Sequence, residues 1–403
     1  MAEGGGNVKP KLVYVLPVYD ANSVEHTFHM HSFLTQVAKY MDVLVVVERT
    51  LGSIDLQGVA VYQRRVQLPI LKHLETLAAM LWARLHGYRC FYTHYSTSAG
   101  ILSAIVTRLF GGVSYYWSCG QMMLFVPKRI GSLSDLRDMM RNRWLLGLTL
   151  HSVHCLVTCN ATMARYYSEH YSLAPSRIRV IPNWVKLERF ADLPTRAALR
   201  VELGWPHDKK IVLFLHRLSE RKGAHLIVPI VQQLLQNNAG AASQWLIVIV
   251  GGGPYKQQLE SDIRQAALSD LVKVVGPVPN REVPKYYAAA DVYMMPSVEE
   301  AFGRTLLEAM ASGCPITAMD VGGVRDVLSP TQQRFLVPGN DTAAMAASLE
   351  TLLREDALRQ ELVAAGHEHV KKFAEGVVVR SFVSLTGHAG ADAPPQGVET
   401  GCT

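Results

Sequence analysis

The sequence lacks the long apolar runs and clustered cysteines that mark membrane-spanning and metal-binding chains. No run approaches the roughly 20 apolar residues of a transmembrane helix, and the polar residues 1–7 are not expected to form a signal peptide. No two cysteines have Cys-x-x-Cys spacing, so the sequence predicts reduced thiols, no metal site and a cytoplasmic protein. The six cysteines are Cys90, Cys119, Cys155, Cys159, Cys314 and Cys402.

Charged residues are also few. They make up 18% of the 403 residues, and basic residues outnumber acidic ones, which gives a net charge of +6 and a pI near 8.9. This mildly basic balance is compatible with an anionic substrate or an anionic surface. The length predicts two domains, because a single core of this size is unusual.

Short apolar strands alternate with helical segments along most of the chain. In the first half, strands at 12–16, 43–47 and 113–117 are separated by helical patterns such as 71–85. Continuous apolar strands between helices predict a parallel sheet that is covered on both faces. The alternation restarts at 211–215, after a proline-containing connection.

The sequence therefore predicts an α/β protein of two doubly wound, Rossmann-like domains. The domain boundaries follow the alternation and the composition of the connection. We expect an N-terminal domain at 10–187, a linker at 188–208 and a C-terminal domain at 209–373. A terminal helix is expected at 374–388, with packing against the N-terminal domain as one option, and a disordered tail at 389–403.

The stretch 296–315 joins a buried strand to a helix and carries two carboxylates. Glu300 lies in the loop after the strand 292–295, and Glu308 lies eight residues later, within the helix. Eight residues are a little over two helical turns, so both side chains could face one side, near the unpaired N–H groups of the first turn. This pattern fits a phosphorylated, hydroxylated ligand. Two solvated glutamates in an ordinary loop would have the same spacing.

Other polar and glycine-rich turns follow the strands of the second half. Arg217 and Lys222 follow the strand 211–215 and could hold a diphosphate between them. Glycines follow the strands 245–250 and 271–275, but not with the spacing of a dinucleotide fingerprint or a P-loop. Because carboxyl ends of parallel strands share one edge, we expect these groups to converge there with the two carboxylates.

Three features of the first half are candidates for ligand or membrane contact. His94 ends a strand and His29 lies in the first helix; each either faces the ligand site or is a hydrogen-bonded structural histidine. The segment 122–150 mixes apolar and basic residues, which is typical either of a helix on an anionic membrane or of a domain helix with a solvated basic side. Its basic residues from 128 to 143 are Lys128, Arg129, Arg137, Arg141 and Arg143.

The second-half motifs resemble those of the retaining nucleotide-sugar glycosyltransferases of family 4. The resemblance implies the GT-B fold, in which two Rossmann-like, doubly wound domains face a cleft. The resemblance covers about residues 180–345, whereas the first domain matches only in its alternating pattern. The motifs that carry it are His216-Arg217-Leu218-x-x-x-Lys222-Gly223, Val250-Gly-Gly-Gly-Pro254, Glu300-x7-Glu308 within Glu-Ala-Phe-Gly-Arg-Thr-Leu-Leu-Glu-Ala-Met-Ala-Ser-Gly, Gly322-Gly323 with Leu336-Val-Pro-Gly339, and Ile181-Pro-Asn183.

The resemblance implies a role for each matching residue. Arg217 and Lys222 would hold the donor diphosphate and, together with Glu300 at the donor sugar, form the catalytic group. Glu308 would bind the ribose hydroxyls. The remaining donor contacts would be Phe302, Gly303, Arg304, Thr305, Gly252, Gly253 and, near the base, Val278. The diphosphate would leave without a metal ion, because two cations and a helix N-terminus offset its charge.

The chain departs from the family pattern mainly in the first domain. The loop at 19–23 lacks a glycine pair that is common in the family, Ser118-Cys119-Gly120 stands where many members have a histidine, and Trp184 stands where glycine is usual. The candidate first-domain contacts to the donor are therefore His94, Cys119 and His29.

The resemblance implies a metal-independent, retaining hexosyltransferase without a cofactor. It would move a hexose or N-acetylhexosamine from a nucleotide-diphosphate sugar, with UDP favoured over GDP, to a lipid-linked or cell-envelope glycan or to a soluble acceptor. The basic segment favours a lipid-linked acceptor and peripheral contact with an anionic membrane on its cytoplasmic face; no nucleic acid partner is expected. The alternatives are a non-catalytic nucleotide-sugar-binding or scaffold protein of the same fold, and a GT-B epimerase or phosphorylase.

Overall fold

The computed structural model describes residues 9–20, 27–119, 133–237 and 244–387. The chain divides into two compact units. The first contains the residues up to Pro182 and those from Gly376 onwards, and the second runs from Asn183 to Glu375. Several residues of the sequence interpretation lie outside the described ranges, namely the loop residues 21–23, Gly120, Lys128, Arg129 and the tail at 389–403.

The first unit is built on a parallel sheet of seven strands. These strands are β1 (Lys11–Leu16), β3 (Asp42–Val47), β5 (Ala60–Gln63), β6 (Cys90–His94), β7 (Val113–Trp117), β8 (Cys155–Thr158) and β9 (Ile178–Val180). Their order across the sheet is β5-β3-β1-β6-β7-β8-β9, and each pairs in parallel with its neighbours. Two short strands, β2 (Tyr19–Asp20) and β4 (Thr50–Leu51), pair separately.

Helices cover both faces of this sheet. They are α1 (Thr27–Val37), α2 (Leu71–Leu85), α3 (Thr97–Phe110), α4 (Leu133–Ser152), α5 (Ala161–Tyr171) and, at the end of the chain, α14 (Glu375–Gly387). On one face, Met80 of α2 and Val106 of α3 pack into a core with Val13 of β1. On the other face, the ring of Phe382 in α14 packs against the rings of Tyr14 and Tyr92.

The second unit is built on a parallel sheet of six strands. They are β10 (Lys210–Leu215), β11 (Trp245–Val250), β12 (Val272–Gly276), β13 (Val292–Met295), β14 (Ile316–Met319) and β15 (Leu336–Val337), in the order β12-β11-β10-β13-β14-β15. Its helices are α6 (Arg196–Leu203), α7 (Ile227–Asn237), α8 (Lys256–Gln265), α9 (Val283–Ala289), α10 (Arg304–Ala311), α11 (Val324–Val327), α12 (Thr342–Arg354) and α13 (Asp356–Val370). None of the described helices of either unit combines the length and hydrophobicity needed to cross a membrane.

The segment 188–208, expected to be a linker, belongs to the second unit. Its helix α6 places Arg200 against Asp291, with Nη2 and Oδ2 2.6 Å apart and both residues buried. The same carboxylate oxygen accepts the backbone N–H of Ile211 at 2.7 Å. This buried ion pair anchors the segment at the start of β10, and the division between the units therefore falls earlier, after Pro182.

The expectation that all cysteines are reduced is wrong for two of them. Cys119 follows β7 and Cys159 follows β8, and the two form a disulfide with their Cα atoms 5.6 Å apart. The sequence separation of 40 conceals the pair, but β7 and β8 are adjacent parallel strands and bring their carboxyl ends together. Cys90, Cys155 and Cys314 are buried free thiols.

Replacing both Cys119 and Cys159 by serine is expected to lower the free energy of unfolding by about 2–4 kcal/mol, because the bond restrains the unfolded chain. Urea unfolding of the oxidised wild type and of the double variant measures this difference. The unfolded, unreduced wild type should also show four reactive thiols, since two of its six cysteines are bonded. Six reactive thiols in that sample would contradict the bond.

Candidate functional site

The second sheet has its topological switch point between β10 and β13. From β10 the chain moves outward to β11 and β12, and then crosses to β13, β14 and β15 on the other side. Ligands of open α/β sheets bind beyond the carboxyl ends of the strands at such a point. Lys222 follows β10 and Glu300 follows β13, so the sequence-predicted site residues flank the switch point.

Lys222 and Glu300 form a buried ion pair at this point. The Lys222 Nζ donates to Glu300 Oε2 at 2.5 Å, and the two residues are 7% and 9% exposed. Burial alone would raise the pKa of Glu300, but the Lys222 ammonium, aided by His216, outweighs burial and holds that pKa well below its usual range. The surroundings of Glu300 therefore favour the ionised carboxylate.

His216, directly after β10, is a member of this cluster to which the sequence interpretation gave no role. Its Nδ1 accepts the backbone N–H of Arg217 at 2.7 Å, and its Nε2 lies 3.7 Å from Glu300 Oε2. The occupied Nδ1 places the ring proton on Nε2, facing the carboxylate. Burial and the Lys222 ammonium lower the pKa of His216, so the ring is neutral and can donate one hydrogen bond. The sequence signal that could have identified His216 as a site residue is its position in the motif at 216–223.

Two glycines allow the chain to close around Glu300. Gly223 has a φ of +74°, and a Cβ there would lie 1.8 Å from the carbonyl oxygen of Pro296. Gly322 has a φ of +54°, and its Cβ would lie 1.9 Å from the carbonyl oxygen of Glu300. Only glycine fits at either position. The backbones of the loops after β10, β13 and β14 therefore pack closely against one another around the carboxylate.

Arg217 and the glycine turn after β11 lie on the same edge of the sheet. The Arg217 side chain is exposed and forms no ion pair with the described residues. The carbonyl oxygen of Gly252 accepts the N–H of Leu218 at 2.8 Å, which ties the two loops together. Gly253 follows with an exposed backbone. Arg217 is thus an available cation, whereas the ammonium of Lys222 is already paired.

The start of α10 supplies the next group of predicted contacts. The backbone N–H of buried Phe302 points to Glu300 Oε1 at 3.5 Å. Gly303 precedes the helix with a φ of +84°. The Thr305 hydroxyl contacts Met295 Sδ at 3.8 Å, and the Arg304 guanidinium stacks on the Trp184 ring, 5.2 Å from its centroid. The structure therefore brings these residues of α10 to the end of β13.

Glu308 lies in α10 between two arginines. Burial raises the pKa of Glu308, while the guanidinium groups of Arg189 and Arg304 oppose this effect. Burial also lowers the pKa of Arg304 to about 10, although the negative charge of Glu308 opposes this shift. Burial is the main cause that raises the pKa of the Tyr293 phenol, and the negative charges of both Glu300 and Glu308 raise it further. The two carboxylates thus share one neighbourhood, as their spacing predicts.

Arg189 joins this neighbourhood to the loop after β12, and sequence reasoning missed it. One Nη2 atom donates to the carbonyl oxygen of Asn280 at 2.5 Å and to its Oδ1 at 2.6 Å. The half-buried Val278 lies in the same loop, two residues earlier. A separation of 91 residues between Arg189 and Asn280 leaves no local signal for the contact. The arrangement places a carboxylate and hydrogen-bonding groups beside an apolar side chain, which suits a nucleoside.

The sheet of the first unit has its own topological switch point, between β1 and β6. His94 ends β6, its Nδ1 lies 2.9 Å from the Tyr14 hydroxyl, and its ring stacks on Trp117 with centroids 4.2 Å apart. His29 lies in α1 and is half-buried. Cys119 is bonded to Cys159 and is buried, so it has no thiol to offer a ligand. Within the described residues, no group of three or more His, Cys, Asp or Glu side chains could together hold a metal ion.

The buried ion pair predicts how the stability depends on pH. The folded state holds the pKa of Glu300 below 4.5 despite its burial, so the stabilisation is complete above about pH 4.5 and is lost as the pH falls through the lowered pKa. We expect the free energy of unfolding to fall more steeply below about pH 5 in the wild type than in Glu300→Gln. Urea unfolding at several pH values measures both slopes; equal slopes would contradict the lowered pKa.

Two family models match the chain, one in each half. Residues 19–184 match the "Glycosyl transferase 4-like domain", and residues 195–369 match "Glycosyl transferases group 1". One similar curated relative is the D-inositol 3-phosphate glycosyltransferase of Kineococcus radiotolerans, 31% identical over 235 residues, which are 55% of this chain and 54% of the relative. The chain thus spans about half the length of the curated relatives it matches.

Solved structures match over nearly the whole chain. Sucrose-phosphate synthase of Thermosynechococcus elongatus has a TM-score of 0.73 and 22% identity, covering 94% of this chain and 98% of that chain. HepE of Anabaena in complex with UDP-glucose has a TM-score of 0.68 and 17% identity, covering 93% and 98%. These similarities confirm the expected fold, an α/β protein of the GT-B type with two Rossmann-like domains.

Proposed function

We propose that the chain, whose two halves match a 4-like domain and a group 1 domain of glycosyltransferases, is a glycosyltransferase of the family-4 type that transfers a hexose or N-acetylhexosamine from a nucleotide-diphosphate sugar. The observation that carries this proposal is the Lys222–Glu300 pair at the switch point of the second unit. A ligand at this edge meets a fixed ammonium, the exposed Arg217 and a carboxylate that is held ionised.

The proposed roles follow from these charges. Arg217 and Lys222 bind the diphosphate and offset the negative charge that develops on it as the glycosidic bond breaks. Glu300 accepts hydrogen bonds from hydroxyls of the donor sugar, with backbone N–H groups at Phe302 and Gly303 nearby. These cations can offset the leaving-group charge without a metal ion, so we propose a metal-independent reaction.

The nucleoside end of the donor is proposed to lie along Glu308 and the loop after β12. The carboxylate of Glu308 suits the two ribose hydroxyls, and Val278 offers an apolar contact to the base. Arg304, Thr305, Gly252 and Gly253 complete the proposed donor site, and His94 and His29 remain proposed contacts from the first unit. UDP is the proposed nucleotide, in line with the UDP-glucose held by HepE of Anabaena.

We propose that the anomeric configuration is retained and that the acceptor is a lipid-linked or cell-envelope glycan. Retention is proposed because the two cations, Arg217 and Lys222, favour departure of the diphosphate, which allows attack from the same face. The lipid-linked acceptor is supported by exposed arginines of α4 at 137, 141 and 143. D-inositol 3-phosphate, which the Kineococcus relative's name gives, is a soluble acceptor to include beside lipid-linked ones.

The test is a transfer assay with UDP-glucose, UDP-galactose and UDP-N-acetylglucosamine against soluble and lipid-linked acceptors, with product configuration read by NMR. An α-linked product from an α-linked donor is expected. A β-linked product would contradict retention. Binding of a donor without transfer to any acceptor would favour the alternative, a non-catalytic nucleotide-sugar-binding protein. Conversion of the donor alone would identify an epimerase.

A further inference from the structure

Large apolar side chains are exposed very unevenly over the described residues. Of the 18 large hydrophobic residues that are exposed, 12 lie between residues 68 and 148, in or beside α2, α3 and α4 of the first unit. Among its described residues the second unit exposes only two, Val201 and Val275. Single exposed hydrophobic residues are ordinary, but a concentration on adjacent helices marks an interaction surface.

On α2 the exposed residues form a continuous stripe. Leu71, Leu74, Trp82 and Leu85 are 48%, 55%, 51% and 84% exposed. Their spacing of three, eight and three residues places them on one side of the helix. The opposite side, with Met80 and Ala83, is buried against the sheet. This helix is therefore apolar on both sides, which burial in its own domain does not require.

The stripe continues over the two neighbouring helices. Ile105, Leu109 and Phe110 are 44%, 71% and 52% exposed in α3, and Met140, Trp144 and Leu148 are 62%, 65% and 41% exposed in α4. The two helices lie close together, because the Thr149 hydroxyl of α4 donates to the carbonyl oxygen of Thr97 at 3.2 Å. We call the outer surface of α2, α3 and α4 the helical face.

The charges of the helical face are mostly positive. Arg108, Arg137, Arg141 and Arg143 are exposed. Among the described side chains of the three helices, only Glu75 and Asp138 are acidic. The Glu75 carboxylate accepts hydrogen bonds from the backbone N–H groups of residues 65 and 66. The Asp138 carboxylate forms an ion pair with Arg141 at 3.1 Å. An excess of arginine therefore surrounds the apolar side chains.

We propose that the helical face docks on the surface of an anionic lipid bilayer. Apolar side chains with tryptophan among them, surrounded by arginine, match the boundary between acyl chains and anionic headgroups. A second copy of the chain is a poorer partner, because its own arginines would meet those of the first. This inference rests on the lipid-linked acceptor of the proposed function, for which it supplies a membrane-facing surface. Vesicle binding itself needs neither donor nor acceptor.

The exposed tryptophans make docking directly measurable. Of the six tryptophans, only Trp82 and Trp144 are exposed; the other four are 8% exposed or less. The full chain is mixed with vesicles of POPC and POPG in a 7:3 ratio, with or without brominated POPC. Bromine quenches only tryptophans that enter the bilayer, so quenching should occur in the wild type and disappear in Trp82→Phe/Trp144→Phe, which should still sediment with the vesicles.

Substitutions to serine test the surface itself. Trp82→Ser/Leu85→Ser/Trp144→Ser should weaken vesicle binding at least about tenfold, since it removes apolar area from the contact. The matched control, Val201→Ser/Val275→Ser, changes exposed residues of the second unit and should bind as the wild type does. Binding should also fall with added salt and on vesicles of POPC alone.

Three results would overturn the proposal. They are no vesicle binding at low ionic strength, undiminished binding by the triple serine variant, and a wild-type dimer in solution that the triple serine variant abolishes. Calorimetry with UDP-sugars on the same samples measures donor binding, and so tests the proposed function separately from vesicle binding. Loss of vesicle binding with intact donor binding rejects the docking surface alone.

Discussion

Replacing Glu300 by glutamine is expected to reduce glycosyl transfer by about 10²- to 10³-fold while nucleotide binding remains measurable. The amide has nearly the same shape but no charge, so it accepts weaker hydrogen bonds from the donor sugar and no longer fixes the Lys222 ammonium at 2.5 Å. The nucleotide contacts proposed for Arg217 and Glu308 are unchanged. Steady-state transfer assays and calorimetry with UDP measure the two effects separately.

Glu299 provides the matched control for this substitution. It is the preceding residue, is half-buried and forms no ion pair with the described residues. Glu299→Gln should retain the transfer rate of the wild type. If Glu300→Gln is as active as Glu299→Gln, the assigned role of Glu300 is wrong. If it loses nucleotide binding as well, the substitution has disturbed the whole site.

Replacing Lys222 by methionine is expected to have an effect on both activity and stability. The change leaves the Glu300 carboxylate buried beside a neutral His216, and breaking a buried ion pair in this way costs about 3–5 kcal/mol. It also removes a cation from the departing diphosphate, for which we expect a further loss of about 10²- to 10³-fold in transfer. Urea unfolding and transfer assays measure the two losses.

A double-mutant cycle shows whether the loss of stability arises from the pair. Lys222→Met/Glu300→Gln contains no buried unpaired charge, so it should be more stable than Lys222→Met alone, with a coupling energy of about 1–3 kcal/mol. Lys273→Met, which replaces an exposed lysine of β12 in the same unit, should change neither stability nor transfer. Strictly additive losses in the cycle would contradict a direct Lys222–Glu300 interaction.

Local pattern predicted the elements that surround the site. The helix at 71–85 and the strands at 113–117, 245–250 and 292–295 have the bounds that the sequence indicates, because strong apolar periodicity and flanking turn residues coincide there. The sequence interpretation missed one strand, β5, and began another, β15, two residues too early, at Arg334, because the apolar periodicity is weak at both places. The edge strand β5 has only four residues and is half exposed, and Arg334 and Phe335 form a 3₁₀ turn before the two-residue strand β15.

The contacts within the site depend on pairings over long separations, which local pattern does not contain. Lys222 and Glu300 are 78 residues apart, and Arg189 and Asn280 are 91 residues apart. Sequence reasoning placed Lys222 beyond the carboxyl end of its strand as a diphosphate ligand, but it did not predict the pairing of its ammonium with Glu300. Sheet order brings such residues together, and sheet order emerges only from the packed fold.

The most direct test of the account is donor binding by the wild-type chain, measured by calorimetry and thermal unfolding with UDP, GDP and their hexose and N-acetylhexosamine derivatives. The account predicts that one nucleotide sugar binds clearly, stabilises the protein by about 2.7 kcal/mol at 100 times its dissociation constant, and binds more weakly to Glu308→Gln. Absence of binding by every nucleotide and nucleotide sugar at millimolar concentration would contradict a donor site at the switch point of the second unit.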